Sequence, residues 1–185
     1  MKIPKTFSNQ SYGDRQALNN KDIIRWFLEH GANPNGACLH GCTVTTAAAQ
    51  SSPLCVIKLL VEHGGTLTGT DVIALAAVSH NNGRPGRLEV VEYLLDNGAP
   101  INTYLFENSF DEVPSMISMY GLETALQHAT RGGKKDMVEL LLRRGADKDN
   151  QGRYFASCCI KGGTALEIAE MKGFNEIIRL LKGED

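Results

Sequence analysis

Cys38, His40 and Cys42 place three soft donor atoms within five residues, a spacing that one loop of a zinc site can offer. A closed site needs a second ligand pair, and the natural one, Cys158-Cys159, lies far along the chain. Adjacent cysteines bridge only with strain, so those two read as plain thiols. His128 is the residue best suited to acid–base chemistry, provided Asp111 or Glu112 polarises it. The plainer reading of His128 is a hydrogen-bonded core histidine, because its helical position holds Leu75 and Ile168 in related segments. His30 and His63 each precede a glycine at a helix end, where a cation suits the helix dipole. No phosphate-binding glycine loop, dinucleotide fingerprint or nucleophile elbow is present. These residues predict no metal, no cofactor and no enzyme, with an acid–base enzyme as the alternative.

The elements that would position such residues repeat. Leu88-Glu-Val-Val-Glu-Tyr-Leu-Leu-Asp-Asn-Gly98 reads as an amphipathic helix stopped by a glycine, with Val90, Val91, Leu94 and Leu95 on one face. The same pattern occurs from Asp22 to Gly31, from Leu54 to Gly64 and from Asp136 to Gly145, and a last copy begins at Asn175. The stop glycines are 33, 34 and 47 residues apart, and the last two helices are 39 apart when Asp136 is matched to Asn175. A shorter, Ala-rich helical run precedes each copy after the first, at Thr43–Ala49, Asp71–Ala77, Thr124–Ala129 and Thr164–Ala169. Thr124 with Gln127, and Thr164 with Glu167, have capping-box spacing. Ala48, Ala76, Ala129 and Ala169 let neighbouring helices approach closely. Neither helix of a unit buries its apolar stripe alone, so the units must stack.

Thr124-Ala-Leu-Gln-His-Ala129 and Thr164-Ala-Leu-Glu-Ile-Ala169, with Gly31-Ala-Asn33, Gly98-Ala-Pro100 and Gly145-Ala-Asp147, make the unit resemble the ankyrin repeat. The resemblance spans roughly residues 14 to 182 and implies an all-α solenoid of about five helix–turn–helix units in one domain. The units are a degenerate one at about 7–35, then about 36–68, 69–102, 103–149 and 150–185. Val44, Val72, Ala125 and Ala165 replace the family's proline, and Thr46, Ala74, Gln127 and Glu167 replace its histidine. One repeat advances about 10 Å, so the cysteine pairs, three repeats apart, cannot share an ion. The resemblance also implies a protein-interaction module with a concave face read by finger and first-helix residues. In the family's register, Leu39, His40, Cys42, Gln50, Ser51, Arg131, Met171 and Lys172 are candidate contacts.

Function in a repeat protein concentrates where the period breaks. Relative to a 33-residue frame, Gly64 to Asp71 is short by about five residues, and Asn81-Asn-Gly-Arg-Pro-Gly86 adds about six. The largest break, 103–122, adds about 14 residues, and 150–163 adds about seven. Six of the chain's 12 aromatics (Tyr104, Phe106, Phe110, Tyr120, Tyr154 and Phe155) fall in these two insertions, so they are not plain solvent loops. Both replace inter-repeat fingers about one repeat apart, so they should touch. They serve either as a satellite core or as anchors around a partner or small apolar ligand. Glu107, Asp111, Glu112 and Glu123 give the first insertion an acidic edge. Arg131, Lys134, Lys135, Lys148, Arg153 and Lys161 give the neighbouring repeat a basic one.

Composition narrows the class. A net charge of −2 argues against nucleic acid as partner. No apolar run approaches a membrane span, and the first residues lack a secretory core. Five cysteines, an odd number, then read as reduced thiols. The expected picture is a cytoplasmic or otherwise intracellular monomer, the nucleus included, that binds a protein or peptide through the aromatic insertions. A small apolar ligand in a pocket between those insertions is the alternative.

Overall fold

The computed structural model describes residues 18–36, 43–67, 71–78, 86–105, 122–152 and 163–184. They form α1 (Lys21–Glu29), α2 (Val44–Ser51), α3 (Leu54–Glu62), α4 (Val72–Val78), α5 (Arg87–Asp96), α6 (Ala125–Arg131), α7 (Lys135–Arg143), α8 (Ala165–Lys172) and α9 (Asn175–Lys182). The described residues are all-α.

Local chemistry sets where the helices start. Asn20 caps α1 by accepting from the amides of Asp22 and Ile23. At α8 the Thr164 hydroxyl accepts from Glu167 N–H at 3.2 Å, and Glu167 returns a carboxylate oxygen to Thr164 N–H at 2.7 Å. Gln127 Oε1 accepts from Thr124 N–H at 2.8 Å in α6, and Thr46 Oγ1 does the same for Thr43 at 2.8 Å in α2. Three of the four residues standing in for the family's histidine therefore still satisfy a helix-start amide, and only Ala74 has no group to do so.

The stops are as regular. Gly31, Gly64, Gly98 and Gly145 have φ of 84°, 87°, 84° and 88°, the left-handed conformation that glycine adopts without steric cost. Just before three of them, His30 Nδ1, His63 Nδ1 and Asn97 Nδ2 donate to the carbonyls of Trp26, Leu59 and Tyr93 at 2.7, 2.9 and 2.7 Å. The last repeat corrects the sequence reading by one residue. Lys134 N–H bonds Ala129 O ahead of α7, and Phe174 N–H bonds Ala169 O ahead of α9, so equivalent positions lie 40 apart and not 39.

Packing divides the helices into two layers. The short helices α2, α4, α6 and α8 touch in succession, the long helices α1, α3, α5, α7 and α9 touch in succession, and each short helix from α2 on packs on the long helix that follows it. Ala48, Ala76, Ala129 and Ala169 are buried where the short helices meet. Ile57, Leu60, Val91, Leu94, Val138 and Leu141 fill the seam between layers. Polar ties hold successive repeats in register. Asn35 donates to Gly64 O and accepts from Thr66 N–H, both at 2.7 Å. Asn102 likewise accepts from Asp147 N–H at 2.9 Å. On the opposite edge Arg87 donates to the carbonyls of Ser52 and Ala49 at the end of α2, and Lys134 donates to Ala77 O at 2.7 Å near the end of α4.

Candidate functional site

Residues in the last turns of the short helices form a row along the stack. Gln50, Val78, Arg131 and Met171 each stand seven residues after the residue that opens their helix (Thr43, Asp71, Thr124 and Thr164). Because α2, α4, α6 and α8 pack side by side, this shared register aligns them. Gln50, Ser51, Val78 and Arg131 are half-buried, whereas Met171 is 59% exposed and Lys172 is exposed. The row thus offers an amide, an aliphatic group, a guanidinium and a thioether in sequence. Val78 was not among the contacts read from the sequence, although its register alone identifies it.

Arg131 is the fixed point of the row. Its guanidinium holds both carboxylate oxygens of Glu123, with Nε at 3.0 Å from Oε2 and 3.2 Å from Oε1, and Nη2 on Oε1. His128 Nδ1 lies 3.4 Å from Glu123 Oε2. Glu123 has no exposed surface and His128 is buried. A buried carboxylate needs such partners, because an uncompensated charge out of water is costly. Glu123 and Arg131, expected on opposed acidic and basic edges, are therefore paired with each other. Among the described residues, two more of the basic edge are engaged: Lys135 pairs with Glu176 at 3.1 Å, and Lys148 reaches Leu181 O at 3.4 Å. Burial, with the charge of Arg87 added, holds the Lys134 ammonium below the ordinary lysine range.

The residues flanking each insertion are bonded to each other, forming a closed neck. Leu105 N–H bonds Glu123 O at 2.9 Å across 106–121, and Gly152 N–H bonds Gly163 O at 3.1 Å across 153–162. Gln127 Nε2 clamps the second neck by donating to Asn150 O at 2.9 Å and Gly163 O at 2.6 Å. The Tyr104 hydroxyl donates to Gln151 O at 3.1 Å, so the two necks touch. Glu123 and Gln127 were not singled out as site residues from the sequence; the capping-box spacing marked Gln127, but only the fold reveals its second role.

Of the site residues read from the sequence, Gln50, Ser51, Tyr104, His128, Arg131, Met171 and Lys172 lie among the described residues. Leu39, His40, Cys42, Phe106, Phe110, Asp111, Glu112, Tyr120, Tyr154 and Phe155 lie outside them, as do Cys38, Cys158 and Cys159. Within the described residues no group of three His, Cys, Asp or Glu side chains is arranged to hold a metal ion. There too, no helix is long and apolar enough to cross a membrane.

Two family models match the chain. One, described as ankyrin repeats in three copies, matches residues 16–104. The other, described as ankyrin repeats in many copies, matches residues 73–142. Between them they run from residue 16 to 142, from before α1 to near the end of α7. No curated protein matches the chain.

Proposed function

The chain belongs to the ankyrin-repeat family, whose repeats generally mediate protein–protein interaction, and on that premise we propose that it grips a protein partner with the short-helix row and both insertions together. One observation carries this reading: the two necks leave adjacent repeats and are joined by the Tyr104–Gln151 hydrogen bond. Insertions anchored side by side present their aromatic residues (Phe106, Phe110, Tyr120, Tyr154, Phe155) to one partner rather than to two. Aromatic side chains give large contact area for little lost conformational freedom, as interface anchors do. The row beside the necks supplies the flanking contacts, with Gln50 and Ser51 towards one end and Met171 and Lys172 at the other. Leu39, His40 and Cys42 belong to the same surface in the family's register.

Acid–base catalysis by His128 has less support, because its Nδ1 and the Arg131 guanidinium both address Glu123. That arrangement is what a buried carboxylate requires of its neighbours. The test is affinity capture with the full chain beside a variant in which Phe106 and Phe110 are both Ala, run in parallel with a small-molecule thermal-shift screen. Protein binding predicts a captured protein that the double variant loses. A metabolite that stabilises the chain, with no protein captured, would overturn it in favour of a ligand site.

A further inference from the structure

Successive long helices meet by a repeated rule. Counting back from the stop glycine, the eighth residue is Val56, Val90 and Met137 in α3, α5 and α7, and each is at most 4% exposed beneath the preceding pair. The fifth is Leu59, Tyr93 and Leu140, buried or half-buried on the same side. The sixth points the other way, onto the following helix. Lys58 Nζ sits 5.4 Å over the Tyr93 ring, and Glu92 pairs with Arg143 at 3.3 Å. A sixth-position residue therefore meets the fifth and second positions of the helix stacked after it.

α1 carries such a backward face without a described helix upon it. Its eighth and fifth positions are Ile23 and Trp26, 40% and 45% exposed, while Ile24 and Leu28 on its forward side are buried. The flat contact on Trp26 is the His30 ring, stacked with centroids 4.1 Å apart. At the other end of the stack, α9 buries Ile177 and Leu181. Its forward residues are half-buried Ile178 and exposed Arg179, which match the seventh and sixth positions of α7, Val138 and Glu139, in the 40-residue register.

We propose that a second copy of this chain stacks head to tail on α1, its α9 occupying the place of a preceding long helix. Ile178 then covers Ile23, and Arg179 lies over the Trp26 ring as Lys58 lies over Tyr93. Arg179 also meets Glu29, in the second position, repeating the Glu92–Arg143 pair with the signs exchanged. Lys182, in the third position, lays its stem along the seam and keeps its ammonium on Glu170, 3.3 Å away. Pairing two α1 helices about a two-fold axis is the poorer arrangement, because Asp22 and Glu29 flank Trp26 and would face each other as like charges. A head-to-tail contact leaves one free face at each end of a pair, so it builds longer chains or rings of copies in place of the monomer expected from sequence.

Trp26 is the chain's one tryptophan, so its emission reports this face directly. With increasing concentration the full chain should sediment faster while its emission shifts to shorter wavelength. Arg179→Glu, at the opposite end of the stack, should weaken both changes by about tenfold or more, since it sets like charges together. Ile23→Glu should do the same, and circular dichroism should find both variants folded. Mixing the two variants should give a one-to-one pair and nothing larger, because each supplies the face the other lacks. A wild-type chain that stays monomeric with concentration-independent emission would overturn the proposal. So would association that survives Arg179→Glu.

Discussion

Glu123 concentrates the electrostatics of the chain at one fully buried carboxylate, held by Arg131 and touching His128. Replacing it with Gln keeps the shape but leaves a half-buried guanidinium without its counter-charge, which should cost about 3–5 kcal/mol in urea unfolding. A loss below about 1 kcal/mol would place the pair in the class of solvent-screened surface bridges. Gln127→Ala should cost about 1–3 kcal/mol, because Thr124 N–H and the carbonyls of Asn150 and Gly163 lose one partner together. It should also speed proteolysis between Gly152 and Gly163 by opening that neck, and an unchanged cleavage rate would remove Gln127 as the clamp. Lys134 supplies a pH signature. Burial makes its folded form release the proton below the ordinary lysine range, so through that window the unfolded chain holds more protons and stability rises with pH. Lys134→Met should flatten that alkaline rise in the urea midpoint, and an unaltered slope would remove Lys134 as its source.

The helices show how a repeating element is written and where its writing stops. Gly98 sits at φ 84° with nothing within 4 Å of an added Cβ, so Gly98→Ala should cost only the left-handed strain, about 1–2 kcal/mol. An added Cβ at Gly65 would stand 2.6 Å from Thr45 Oγ1 and 2.8 Å from Leu60 O, so Gly65→Ala should lower the melting temperature further than Gly98→Ala. Equal losses would contradict this ranking. The stop at Gly98 was legible because local conformation alone demands it, and Gly65 was not, because its tightest contact is Thr45 of a neighbouring short helix, added to that with Leu60 O. The same division separates the capping role of Gln127, set by a spacing of three residues, from its clamp on Asn150 and Gly163. The 39-residue count failed for a related reason. The polar residue opening the apolar run, Asp136 or Asn175, is a weaker marker of register than the Gly133/Gly173 turn, where backbone hydrogen bonds fix the helix start. His128 looked like a candidate base because sequence cannot tell that Glu123, five residues back, turns towards it.

At the scale of the whole molecule, every long helix after α1 stacks on its predecessor, and stability is carried by contacts between neighbours. The pattern that repeats is scaffold, and among the described residues what departs from it is concentrated at the two joined necks and at the backward face of α1, where Ile23 and Trp26 are exposed. The sequence located the insertions because aromatic residues crowd into them. It did not reveal that their necks are joined, since Tyr104 and Gln151 lie 47 residues apart. On the proposed reading, the insertions and the short-helix row act as one binding surface. Hydrogen–deuterium exchange on the full chain, alone and with the protein it captures, tests this most directly. Slowed exchange is expected in 103–122, in 150–163 and at the ends of α2, α6 and α8, with the outer faces of α3, α5 and α7 unchanged. Protection confined to those long helices, with both insertions exchanging as in the free chain, would contradict it.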